Sequence, residues 1–306
     1  MKFKKALLAA GLGLLLAGCS TGQTTIPDGS EVLMTVGDQN FTREKEYALI
    51  KDYSGPQTLI SLVNKQIYDK EIGRPDDMMK KQQEILEDYK QTPGFEDQIK
   101  SLGFADSEDY LNRALVPNAQ AQELAKKYFT DAKEEIISEF DPVLAVIIET
   151  DSEDNANKAL DALKNGEDAG KVGAQYGLES SSYTGQEQIV STADTTLPDE
   201  LRNAIQDAGK DGVLDQVFTN DTSTDNKQYY VASVVSRDYD KNLSKIISAL
   251  SSNQTISNDC EVYYLKKYDF EVHDQYIFDY FKAMNPDYLV SRPDLAEKID
   301  SETSSN

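Results

Sequence analysis

Side chains able to do acid–base, nucleophilic or metal chemistry are scarce in this chain. Its 306 residues include one histidine, His273, and two cysteines, Cys19 and Cys260. A zinc site or a Ser-His-Asp relay would have to use His273, because imidazole is the usual ligand and the usual base for such work. His273 stands in Phe270-Glu-Val-His-Asp near the C-terminus, where a lone histidine beside Asp274 reads as structural. Cys260, in Asn258-Asp-Cys-Glu-Val, has no basic neighbour to lower its thiol pKa and reads as a packing residue. The carboxylates Glu179 and Glu187 have the look of an acid–base pair. Their polar surroundings favour solvated loop acids. No metal and no cofactor is expected.

The other cysteine ends a distinctive segment. Lys2, Lys4 and Lys5 precede the apolar run Ala6–Ala17, and Leu16-Ala17-Gly18-Cys19 closes it. The run is shorter than the roughly 20 residues that span a bilayer. It resembles a bacterial lipoprotein signal. The resemblance implies removal of residues 1–18 and lipidation of Cys19 as the new N-terminus. Acyl chains contribute about 0.8 kcal/mol per buried CH₂, enough to hold a domain at a membrane surface. The expected location is the extracytoplasmic face of the cell membrane of a Gram-positive bacterium, where there is no ATP. With Cys19 so used, Cys260 has no disulfide partner.

The charge is −23. Residues 1–18 hold three lysines and no acid, so a chain starting at Cys19 carries −26. This disfavours nucleic acid as a partner, since binding to phosphate rests on Lys and Arg. The acids are spread along the chain and read as a solubility device that an anionic envelope would repel.

The elements that must position any site follow from periodicity. Residues 19–30 are a polar tether. Val32–Val36 is a short strand, Gly37–Asn40 a turn, and Thr42 caps a helix through Ile50. Leu59, Leu62, Val63 and Ile67 mark a second helix, closed by Gly73. Pro75 opens a third carrying Met78, Gln82, Ile85 and Tyr89, broken at Gly94. Shorter helices are expected over 95–102, 107–115 and 119–129, and a last one from Thr130 to Phe140. The texture changes at Asp141-Pro142. Val143–Ile148 is a buried strand, Ser152 caps a helix ended by Gly166, and a short helix covers 167–176. A loop over 177–188 follows, then a helix with Leu197, Leu201 and Ile205. Strands are expected at Val213–Val217 and Gln228–Val235, joined by the turn 220–227. Helices resume after Asp240, and residues 291–306 form a disordered tail.

Certain segments within this order resemble a known family. They are Thr35-Val-Gly-Asp-Gln-Asn-Phe-Thr42, Leu163-Lys-Asn-Gly-Glu-Asp-Ala-Gly-Lys-Val172, Leu197-Pro-Asp-Glu-Leu-Arg-Asn-Ala-Ile205, Asp211-Gly-Val-Leu-Asp215 and Gln228-Tyr-Tyr-Val231. Together with the lipoprotein signal they resemble the PrsA-type foldase lipoproteins, in the branch that includes streptococcal and lactic-acid-bacterial proteinase maturation proteins. The central segments are similar to parvulin prolyl isomerases. The resemblance implies an α+β fold. A mainly helical chaperone domain (31–140 plus 241–290) would carry an inserted parvulin-like α/β domain (141–240).

The resemblance also implies a site, and this sequence departs from it. Parvulins typically place one histidine in the first strand and one at the start of the last. Those positions fall here on Val146 and Tyr230. The Cys or Asp position falls near Glu179, and the Gly-Gly-Asp turn is reduced to Gly185-Gln186-Glu187. Catalytic residues are therefore unassigned and the isomerase site is expected to be degenerate. Val146, Glu179, Ile189, Leu197 and Tyr230 are the candidate client groove.

The expected function is that of a lipid-anchored foldase or chaperone for unfolded or newly secreted proteins, with a homodimer as a further expectation. Tyr263, Tyr264 and Tyr268 would offer apolar area with a polar tip, though helix packing is the commoner use. An active prolyl isomerase is the alternative. A solute-binding lipoprotein would need two lobes of repeated βα units, which the long helical stretches oppose.

Overall fold

The computed structural model describes residues 26–220, 227–292 and 294. The signal, Cys19, most of the tether, the turn 221–226 and nearly all of the tail lie outside them. The chain divides into two compact units, one holding the chain up to Ile67 and from Glu261 onward, the other Tyr68–Cys260. The expected boundaries near 141 and 240 lie inside the second unit.

In the first unit, β1 (Val32–Val36) and β2 (Gln39–Thr42) form an antiparallel hairpin with Val36 opposite Gln39. Gly37 takes φ +61 at the first loop position, which suits the twist of a two-residue hairpin loop. Helix α1 follows as one 29-residue element, Arg43–Glu71, where the sequence suggested two. Pro56 sits inside it, has no N–H, and so frees the carbonyl of Asp52 four residues back. The Tyr276 hydroxyl donates to that carbonyl at 3.0 Å. Tyr276 opens the last long helix (Gln275–Met284), whose first N–H groups at Tyr276 and Ile277 donate to the Asp274 side chain. Asp274 also pairs with Lys51 of α1 at 3.1 Å. Ile277, Phe281 and Leu289 form the core of this unit, with Ile60 and Phe270 against it.

The second unit begins with helices α2 (Asp76–Lys90), α3 (Phe95–Ser101) and α4 (Ser107–Tyr110), a π-helical turn (Leu111–Leu115), α5 (Val116–Asp131) and α6 (Lys133–Phe140). Thr130 lies within α5 rather than capping α6. Met78, Leu86, Phe95, Ile99, Leu111, Leu115 and Val116 make the helical core. The chain then changes layer. It runs β3 (Val143–Thr150), α7 (Glu153–Lys164), α8 (Ala169–Tyr176), β4 (Thr184–Val190), α9 (Asp199–Gln206), β5 (Gly212–Val213), β6 (Phe218–Thr219), β7 (Tyr229–Ser236) and α10 (Tyr239–Leu250). The remaining two long helices are α11 (Gln254–Lys267) and α12, the Gln275–Met284 helix.

All pairings in the sheet are antiparallel, in the order β4-β3-β7-β5, with β6 also on β7. Every residue of β3 is buried, as its unbroken apolar run demands for a central strand covered on both faces. Of the expected strand Val213–Val217 only Val213 is extended, in the two-residue β5 (Gly212–Val213), and part of the expected loop 177–188 is β4. Ser152 caps α7, accepting from the Asn155 N–H at 3.4 Å.

Candidate functional site

Strand β3 sorts the candidate residues, because successive side chains point to opposite faces of a sheet. Val143, Ala145 and Ile147 face a core made with Tyr183, Val190, Leu197, Leu201, Ile205, Phe218, Tyr230, Ala232 and Val234. Ile148 faces the other way, against Ala156, Ala159, Leu160, Leu163 and Val172 of α7 and α8. Tyr230 and Leu197 are thus brought together. Val146 is not with them. It is paired with Glu187 and Ser233 on the opposite face, and Ile189 stands opposite Leu144 on that same face. Glu179 is exposed in the turn after α8. The five residues do not line one groove. A one-residue offset moves a strand position to the other side of the sheet, so Ile147 rather than Val146 shares a face with Tyr230. Glu179 and Glu187 are likewise separate, and Glu187 is engaged by Lys245 of α10.

The polar group on the face of Tyr230 is Glu149, which stands directly opposite it in the ladder. Its side chain is 5% exposed. Ser181 donates its hydroxyl proton to Glu149 Oε2 at 2.5 Å and accepts from the Tyr183 N–H at 2.8 Å. The Glu149 backbone fixes the same loop, donating to Tyr183 O and accepting from Leu178 N. The Tyr183 and Tyr230 rings meet edge to face at 6.1 Å. The Tyr183 hydroxyl is bonded to Thr196 Oγ1, and Thr196 in turn donates to Asp194 at 2.8 Å. Sequence reasoning passed over Glu149, yet the signal was present: a carboxylate near the end of an otherwise apolar central strand.

This cluster is packed shut. Tyr230 is 2% exposed, and Tyr183, Leu197 and Phe218 are buried around it. Burial, the Glu149 carboxylate and Tyr183 push the Tyr230 phenol up to about 12. Burial and Asp240 push Tyr239 up to about 12 as well. Both phenols therefore stay protonated near neutral pH. A raised phenol pKa favours the protonated folded state. Its stabilising contribution is full below pH 10, the ordinary phenol value, and is lost as pH rises from 10 to about 12. Urea unfolding across that window should show a falling midpoint together with tyrosinate absorbance appearing only late; early ionisation of every tyrosine would contradict the burial.

His273 is exposed, 3.9 Å from Glu271, whereas its neighbour Asp274 belongs to the α12 cap. Cys260 is buried. Among the described residues no three His, Cys, Asp or Glu side chains gather as a metal site, and no helix is long and apolar enough to cross a membrane. Tyr264 is buried. Tyr263 packs edge to face on it at 5.1 Å, as helix packing would have it.

No family model matches the chain. The foldase protein PrsA of Streptococcus pneumoniae (strain Hungary19A-6) is 26% identical over 274 residues, spanning 82% of this chain and 85% of its own. The counterpart in strain CGSP14 matches to the same extent. The chain is a homologue of the PrsA-type foldases. Its similarity to PrsA proteins extends to solved structures. A peptidylprolyl isomerase (PrsA) from Bacillus cereus shares 18% identity, with 84% of this chain and 99% of that one covered and a TM-score of 0.48. The PrsA of S. pneumoniae (str. Canada MDR_19A) shares 20%, covering 82% and 98%, with a TM-score of 0.37.

Proposed function

We propose that this PrsA homologue is an extracytoplasmic foldase acting as an ATP-independent chaperone. In this reading Cys19 carries the lipid anchor. The parvulin-like domain of residues 141–240 is inserted between the two parts of a helical domain, 31–140 and 241–290, and its isomerase site is degenerate. The clients are unfolded or newly secreted proteins, and nucleic acid is not among its partners.

The observation that carries this reading is the apolar surface of the first unit. Val32, Leu33, Met34, Val36 and Phe41 of the hairpin are all exposed, and so are Leu49, Ile50 and Tyr53 of α1. A lone two-stranded hairpin is marginal in water, and large apolar side chains left exposed on it are a surface that other chains can cover. Such a surface can hold apolar client segments with no nucleotide. A second copy of the chain is the other occupant it would admit, which accommodates the expected homodimer. The acidic remainder keeps the complex soluble. The closed cluster around Glu149 and Tyr230 supports the degenerate site, since a prolyl ring needs an open socket beside polar groups.

The mature chain, residues 19–306, should suppress light scattering from a denatured secreted protein diluted into buffer without ATP. Unchanged aggregation at a several-fold molar excess would refute the chaperone reading. The anchor is tested separately: Cys19→Ser should move the protein from the membrane fraction to the medium, and retention at the membrane would remove lipidation from the account.

A further inference from the structure

The helical part of the second unit holds an aromatic-walled groove, where α2, α3 and α4 meet, that the reading above does not use. Its volume is about 200 Å³. That is below the roughly 300–1,000 Å³ of small-molecule sites and equals about seven waters, so it suits one large side chain. Phe95 stands between Tyr89, with ring centroids 6.2 Å apart, and Tyr110, at 5.7 Å and nearly perpendicular. Ile99 is buried beneath, while Leu102, 64% exposed, and Tyr89 form an accessible rim.

Two further observations bear on this groove. The helix widens into its π-helical turn at Leu111, immediately after Tyr110. Such turns are rare in helices and frequent at functional sites, because the extra residue re-aims the side chains beside it. The groove itself is lined by uncharged residues, within an acidic stretch of sequence. From Glu87 to Asp109 the sequence has seven acids and two lysines. Lys90 is paired with Glu87 at 3.0 Å, whereas Asp88, Glu96 and Asp97, next to the ring-bearing residues, are exposed. The guanidinium of Arg113 already lies over the Phe104 ring at 5.1 Å, and Phe104 packs on Tyr110 at 5.1 Å. This ring system thus already holds a cation in the manner rings favour.

We propose that this groove captures one leucine or phenylalanine side chain of an extended polypeptide segment that carries lysine or arginine beside it. The apolar side chain fills the space over Phe95 and Ile99, and the flanking cation meets the open face of Tyr89, with the exposed acids Asp88, Glu96 and Asp97 adding a favourable field around it. The inference rests on the foldase reading and gives it a basic, apolar client motif.

The probe is a nine-residue peptide with a central Leu-Phe flanked by lysines, and a counterpart with glutamates in their place. Binding to the mature chain is followed by NMR shifts. The lysine peptide should shift Tyr89, Phe95 and Leu102, and should bind at least about tenfold more tightly than the glutamate peptide, a discrimination within reach of the field of those acids. Leu102→Ser and Tyr89→Ala, both at exposed positions, should each weaken it about tenfold or more with the circular dichroism unchanged. Absence of shifts at the groove, insensitivity to both substitutions, or equal binding of the two peptides would overturn the proposal. The outcomes also separate the two readings. Aggregation suppression with a silent groove removes this inference and leaves the foldase standing. Groove binding without suppression keeps the groove and removes the foldase.

Discussion

Gly185→Ala should destabilise the second unit by at least about 3 kcal/mol, placing it among the severe single substitutions. Gly185 has φ +82, and a Cβ there would lie 2.1 Å from the carbonyl oxygen of Ala169 at the start of α8. The opposing element meets the strand in the same way, for a Cβ on Gly173 would lie 2.1 Å from Thr184 O of β4. The α8 backbone therefore rests directly on the β4 backbone. Neither side can yield without breaking ladder or helix hydrogen bonds. Gly166 is the internal comparison. Its φ is +81, but a Cβ there meets nothing within 4 Å. Gly166→Ala should cost only the left-handed conformation, about 1–2 kcal/mol. Urea unfolding followed by circular dichroism measures both. Equal losses at the two glycines would show that the close approach of α8 to β4 does not exist in solution.

Met34→Glu with Val36→Glu should weaken client protection by at least about tenfold while leaving the unfolding midpoint nearly unchanged. Met34 is 64% exposed and Val36 69% exposed, so neither side chain supports the fold. Burying an apolar side chain of this size against a client contributes about 1.5–3 kcal/mol. The double substitution removes two such contacts and adds two charges to a chain already at −23. Light scattering against the wild-type chain reads the loss. Protection unchanged in the double variant would move client binding away from the hairpin.

Much of the fold was legible where one element's own residues decide it. Strand β3 is a continuous apolar, β-branched run. The capped stripe Ala156, Ala159, Leu160 and Leu163 of α7 is buried as its spacing requires. The failures share a cause, which is dependence on distant partners. Strand β4, Thr-Gly-Gln-Glu-Gln-Ile-Val, has no clean alternation and is specified by its ladder to β3. Two helices were expected where α1 is one, and the carbonyl of Asp52 freed by Pro56 within it accepts from Tyr276, more than two hundred residues away. The candidate site divided along the same line. Tyr230 and Leu197 share the buried face between β3 and β7, although Leu197, expected on a helical stripe, lies before α9. Val146 stands on the face of β3 opposite Tyr230, because one step along a strand is a change of face. The Glu149–Ser181 bond joins residues thirty-two positions apart and no local pattern announces it.

The central claim is a foldase that binds clients without rotating their prolyl bonds. NMR exchange on a client-like Xaa-Pro peptide tests it most directly, because the uncatalysed reaction takes tens to hundreds of seconds and any catalysis is plain against it. At concentrations of the mature chain where peptide shifts report binding, the account predicts a cis–trans exchange rate equal to that of peptide alone. An accelerated rate that Glu149→Gln or Tyr230→Phe abolishes would contradict it, and would make the cluster between β3 and β7 a working isomerase site.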